Sequence, residues 1–328
     1  MIPQKNSFYT RDQAISSGMA NLLGELEHLD EFVREPLQST TYLRDVEIVP
    51  VSSDWVDYIS TTAVQYGIAG GIKSTKRGAV NDIKRIQADL AKSSIKTTKF
   101  KTTLSVDIDS LLSQKTTKRD IKSILEKGVK IVYNKFVDDI VYWGSGENNT
   151  SGLLNNPDVS VSSVAMNAGN TSTLWANKTP QEIVNDINTA LSACWAGAEY
   201  DNNGLPNQIL VPPSAFTKLG ETAMVIDNVA INCTILTYLK DNNLSSLNGG
   251  KLNIYPSRHC IGTGTNGADR MVVYKNDSQF VDFQIPMEIF ASMTGINTED
   301  WTYDTLYQAL LGAVRVHYPM AMAYKDGI

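Results

Sequence analysis

Apolar positions 14–34 recur at three- and four-residue spacing. Leu22, Leu26, Leu29 and Val33 share one face and acidic residues cover much of the rest, so the spacing predicts an amphipathic helix that Pro36 limits. Residues 43–50 (LRDVEIVP) alternate apolar with polar and predict a strand. Residues 51–101 carry few core signals: Trp55, Tyr58 and Tyr66, then Gly67, Gly70, Gly71 and Gly78, then many Lys and Thr. This stretch is too aromatic for a linker. It reads as an extended hairpin with Gly70-Gly71 near its tip. A hairpin cannot bury both its faces, so a partner must cover it.

Residues 96–108 alternate well enough for a strand. The strongest helical pattern spans 117–143: Thr117 to Asp120 resembles a capping box, and Ile121, Ile124, Leu125, Val132, Phe136, Ile140 and Trp143 form a stripe. At 1.5 Å per residue this helix is roughly 40 Å long. Gly144 and Gly146 stop it. Thr179-Pro180-Gln181-Glu182 is a full capping box with proline at the first helical position, and Ile183, Ile187, Ala190, Leu191, Cys194 and Trp195 line the helix it starts. A buried strand is expected at 208–211, a helix from Pro212-Pro213 through Leu219, and another at 233–240. Strands are expected at 251–255, 270–274 and 279–285, with one or two more over 305–324 broken at Pro319. Helices and strands mix without regular βαβ alternation, so the class is α+β. No internal repeat is evident.

The 328 residues, 42% hydrophobic and 20% charged, have globular composition. A formal charge of -6 argues against a surface that grips nucleic acid all over. That charge is unevenly spread. Residues 1–72 hold four basic groups against ten acidic, 73–135 sixteen against six, and 136–328 nine against nineteen. The basic middle is either a set of solvated lysine faces or a surface that meets something negative. Cys194, Cys233 and Cys260 are widely spaced and odd in number, which predicts free thiols. There is no signal-peptide pattern at the start and no uncharged apolar run of about 18 residues, so synthesis in a cytoplasm and no membrane span are expected.

The catalytic signals are weak. Gly262, Gly264 and Gly267 spell GxGxxG, but a strand follows at once where a dinucleotide site needs a helix. His28, His259 and His317 are scattered, and His259-Cys260 lacks metal-ligand spacing. Asp138 and Asp139 are adjacent on a helix and point to different faces. No phosphate loop, GxSxG elbow or HExxH pair is present. No catalytic residue, cofactor or metal is expected.

The order of elements resembles the major capsid protein of tailed bacteriophages, a fold shared with encapsulin shells. The resemblance rests on the N-terminal arm, VEIVPV, the Lys-rich hairpin, the long helix ending YNKFVDDIVYWG, and GLLNNPDV. Its most specific part pairs Asp138 and Asp139 with Gly152, Leu153, Leu154 and Asn155. Trp175, Thr179-Pro180, NQILVPP (207–213), Arg270 to Tyr274, Pro286 and the closing YPMAMAYKDGI are similar to one phage subfamily.

The resemblance implies an N-terminal arm and the start of a P domain over 1–50, and an E-loop over 51–101. The P domain with its spine helix (117–143) would cover 102–178, an A domain 179–275, and return strands 276–328. It implies a structural role: hexamers and pentamers tiling an icosahedral shell around double-stranded DNA, assembled in the host cytoplasm with a scaffold protein and a portal. Trp55, Tyr58, Tyr66, Lys73, Lys76 and Arg77 would make inter-subunit contacts. Lys118, Lys122 and Lys130 would face DNA without sequence specificity. An encapsulin-type shell shares the fold, and an enzyme with an unrecognised site is the reading from another class.

Overall fold

The computed structural model describes residues 40–51, 55–68, 86–109, 121–226, 229–247 and 249–328. The helix expected at 14–34, the capping box at 117–120 and the hairpin tip at Gly70-Gly71 lie outside them. In chain order the first elements are α1 (Tyr42–Asp45), β1 (Glu47–Pro50), β2 (Tyr58–Ile68), β3 (Ile86–Lys96), β4 (Thr98–Asp107), α2 (Ile121–Trp143) and β5 (Ser160–Ser163). Next come α3 (Pro180–Gly197), β6 (Gln208–Val211), α4 (Pro213–Glu221), β7 (Ala223–Ile226), β8 (Val229–Thr234), α5 (Ile235–Asp241), α6 (Leu244–Leu247) and β9 (Asn253–Pro256). The chain closes with β10 (Arg270–Tyr274), β11 (Val281–Ile285), β12 (Met287–Asn297), β13 (Thr302–Leu311), β14 (Val314–Val316) and β15 (Ala323–Asp326).

A five-stranded sheet, β5-β15-β10-β6-β9, separates two apolar cores. Met271 and Val273 of β10 enter one core, with Ile209 and Val211 of β6 and the inner face of α3. Val272, Tyr274 and Leu210 enter the other, with the second half of α2. Both faces of these strands are therefore buried, which explains their unbroken apolar runs. A second sheet, β12-β13-β4, lies along α2, and Phe100 of β4 packs edge-on to Tyr133 at 5.5 Å.

β2 and β3 pair antiparallel from Tyr58↔Lys96 to Ile68↔Ile86 and, among the described residues, form a sheet of their own. Its base is tied to the body. Thr97 N donates to Asp57 O, and Asn148 Nδ2 donates to Thr97 O and Thr98 Oγ1. Ile59 is buried, and Arg315 donates to Thr61 Oγ1.

Several expectations change. Residues 43–45 belong to a helical turn rather than the strand expected over 43–50, because Asp138 reaches across to hold the N-terminus of that turn. Ile124, Val132 and Trp143 are exposed, so the stripe read along α2 mixes core with surface positions. Strand β12 was not expected at all: bulges at 287–290 and 291–293 break its alternation. β7 and β8 form a hairpin that takes Cys233 out of the helix expected at 233–240. The strands expected over 305–324 begin at Thr302 and number three, with a 3-10 turn at Pro319–Ala321. Trp195 is only half-buried, its Nε1 donating to Asp201 O.

Candidate functional site: the assembly surfaces

The Asp138 and GLLN motifs build the joint on which the exposed surfaces are mounted. Helix α2 ends with four carbonyls that its own turns cannot satisfy. Ile140 O accepts from Gly144 N, Val141 O from Leu153 N at 2.8 Å, Tyr142 O from Leu154 N at 3.2 Å, and Trp143 O from Asn155 Nδ2 at 2.9 Å. Gly144 and the returning GLLN segment together thus complete the C-cap. Asn155 also accepts from Gly152 N at 2.6 Å. A Cβ at Gly152 would lie 2.4 Å from the Tyr142 carbonyl, so only glycine permits this approach. Gly144 sits at φ 80°, which starts the turn. The carbonyls of Leu153 and Leu154 are taken in turn by Tyr324 Oη at 2.6 Å and Arg270 Nη1 at 2.7 Å.

Asp138 is fully buried and Asp139 is exposed, as their adjacency on a helix requires. Asp138 Oδ1 accepts from the N–H groups of Thr41 (2.8 Å) and Tyr42 (3.1 Å), capping α1 in place of a local side chain. Its Oδ2 lies 2.8 Å from His259 Nε2 and 3.3 Å from Arg258 Nη2. Burial pushes the carboxyl up, but the bonds from His259 and the two backbone N–H groups prevail and hold it below the usual range. His259 stacks on Tyr142 at 4.1 Å. Tyr142 Oη donates to the buried Asp45, which also takes Arg44 Nε at 2.7 Å and Gln208 Nε2 at 3.1 Å. Arg270 grips Asp326 with two bonds of 2.7 and 2.9 Å. Burial pushes Asp326 up, yet Arg270 and Thr265 bring it below the usual range.

The surfaces themselves are exposed and apolar in places. Trp55 (51% exposed) carries Lys99 Nζ 5.3 Å above its ring, and Lys99 pairs with Asp57 at 3.1 Å. Tyr58 is 62% exposed, and Leu90, which the sequence analysis does not single out, is 71% exposed. The alternation of β3 is the signal that could have found it. The side chain of Tyr66 and residues Lys73, Lys76 and Arg77 lie outside what the structure describes, as does Lys118. Lys122 is half-exposed and engaged within the chain, 3.9 Å from Glu126 and above the Tyr303 ring. Lys130 is exposed.

The GxGxxG segment forms a loop after a 3-10 turn and before β10, closed by Gly264 N donating to Ala268 O. No group of three His, Cys, Asp or Glu side chains able to hold a metal occurs among the described residues, and no described helix is long and apolar enough to cross a membrane.

The structure thus combines a long hairpin, a long helix capped by a returning segment, and a two-core body. Solved structures share this fold across nearly the whole chain. The capsid of Myoviridae phage XM1 is similar at 14% identity, with 97% of this chain and 100% of that one covered and a TM-score of 0.74. The capsid of a native GTA particle follows at 11% identity, 95% and 99% coverage and a TM-score of 0.63. The holo-SrpI encapsulin complex of Synechococcus elongatus PCC 7942 gives 13%, 96% and 96%, and 0.56. No curated protein matches the chain. Residues 74–328 match the major capsid protein family. The chain belongs to that family, and its role is structural: it is a subunit of a virion's capsid shell.

Proposed function

We propose that copies of this chain associate into hexamers and pentamers that close an icosahedral shell around double-stranded DNA. Assembly takes place in the host cytoplasm, with a scaffold protein and a portal. The β2–β3 hairpin carries this reading. It presents Tyr58 and Leu90 to solvent, with Trp55 exposed just before it, and among the described residues its two strands pair with no other strand. A two-stranded ribbon of this kind gains stability when a neighbour covers it.

In this reading 1–50 is the arm and start of the P domain, 51–101 the E-loop, 102–178 the P domain, 179–275 the A domain and 276–328 the return strands. Trp55, Tyr58, Tyr66, Lys73, Lys76 and Arg77 contact a neighbour, and complementary charge sets register. Lys118 and Lys130 screen DNA phosphates, a sequence-independent and salt-sensitive contact. Lys122, occupied by Glu126 and Tyr303, contributes less. The protein has no catalytic turnover. Reversing charge at Lys73, Lys76 and Arg77 stops capsomers from joining; normal shells from that variant would refute the hairpin's part.

The likeness to an encapsulin supports a second reading, a cellular shell that loads a cargo enzyme. Neighbouring genes for portal, terminase and tail proteins support the phage reading; a gene for a tagged cargo enzyme supports the other.

A further inference from the structure

A groove of about 590 Å³ opens where α3 ends, between the 197–204 segment and the 317–321 segment. Glu199, Asp201, Phe280, His317, Tyr318 and Met320 line it, and none of its lining residues is Lys or Arg. Tyr318 packs on Phe280 at 5.1 Å, and Met320 is 75% exposed. The negative end of the α3 dipole adds to the two carboxylates. Glu199 and Tyr200 both take positive φ, 53° and 61°, a conformation that costs energy in non-glycine residues. The result is a concave surface, part apolar and part acidic, that favours a cation with an aliphatic stem.

The hairpin offers the complementary surface. Register places Tyr58 opposite Lys96 and Thr62 opposite Lys92, and directly paired residues share a face. Leu90, Lys92 and Lys96 fall on that same face by strand alternation, and all are exposed. The opposite face turns Ile59 into the body. Residues 73–101 hold nine basic groups against Asp82 and Asp89.

We propose that this groove receives the Tyr58–Leu90–Lys92–Lys96 face of the hairpin of a second copy, with Lys92 and Lys96 meeting Glu199 and Asp201. The proposal rests on the reading that a neighbour completes the hairpin, and it names the surface that does so.

The test uses particles assembled from an equal mixture of ¹⁴N and ¹⁵N full-length chains. A photoreactive benzoylphenylalanine replaces Met320 in one preparation and the exposed Met293 of β12 in another. Mass spectrometry should find position 320 joined to peptides from 58–101, with isotopically mixed pairs. Crosslinks from 320 to another segment, or only within one chain, overturn the proposal. Reaction of the hairpin with 293 and not 320 overturns it while leaving the hairpin reading intact. If intact particles show no hairpin crosslink from either position, the hairpin reading falls as well. In parallel, E199K/D201K should lower particle yield about tenfold, and adding K92E/K96E to the same chain should restore it. Yield that is unaffected by the first pair contradicts the contact.

Discussion

Asp138 Oδ2 lies 2.8 Å from His259 Nε2, although 121 residues separate them in the chain. Through this one carboxylate the end of α2, the α1 turn and the 3-10 turn at Arg258–Cys260 are locked together. Replacing Asp138 with alanine leaves two backbone N–H groups and the buried His259 imidazole without their acceptor, while the half-exposed Arg258 guanidinium turns to water. Each buried group left unsatisfied costs about 1–3 kcal/mol, so a loss of several kcal/mol is expected. Asp138→Asn keeps an acceptor for α1 and should cost less. Urea denaturation of the dissociated chain measures both, and equal stability of the alanine variant and the parent would contradict the assignment.

Asp138 and Asp326 also set the response to acid. Both are held below the usual carboxylate range in the folded chain, so the unfolded chain binds protons more readily as pH falls. Their stabilisation is fully present above the ordinary carboxylate value, near about 4, and is lost as pH drops through the folded values. The denaturation midpoint should therefore hold between pH 7 and 5 and fall below about pH 4. D326N should show a shallower fall over that acid range.

The GLLN cap makes a sharper steric prediction. Gly152→Ala drives a methyl group into the Tyr142 carbonyl, backbone against backbone, and should exceed the roughly 1–3 kcal/mol typical of overpacking. Asn155→Ala loses two neutral hydrogen bonds, each worth roughly 0.5–1.5 kcal/mol, and should still fold. Soluble yield and thermal midpoint rank the two variants, and the opposite order would contradict the cap.

The three thiols separate by burial. Cys194 and Cys260 are buried and their thiols are pushed up to about 12 by that burial, so almost no thiolate forms at pH 8. Cys233 is partly exposed. A disulfide reagent at pH 8 should titrate one thiol per folded chain and three after denaturation.

Local signals survived folding where the sequence needed no distant help. The Thr179–Glu182 capping box forms as read, with Thr179 N donating to Glu182 Oε2 at 2.7 Å. Strands at Gln208–Val211 and Arg270–Tyr274 appear with the expected bounds. The signals that failed depended on partners far along the chain. Tyr42–Asp45 turns helical because Asp138 caps it, which no window around residue 42 contains. Strand β12 is disguised by its bulges. Ile124 and Val132 matched the core stripe but face solvent, because periodicity alone cannot distinguish a second exposed apolar stripe from the buried one. The exposed surfaces were half legible: aromatics at Trp55 and Tyr58 announced the hairpin, whereas the groove at Glu199 and Met320 unites segments about 120 residues apart.

The central claim, that this chain builds a shell, is tested most directly by negative-stain electron microscopy of the purified full-length protein under assembly conditions. The account predicts closed particles whose averaged surface resolves into five- and six-fold capsomers. A population consisting solely of small discrete oligomers, with scaffold supplied and salt varied, would contradict it.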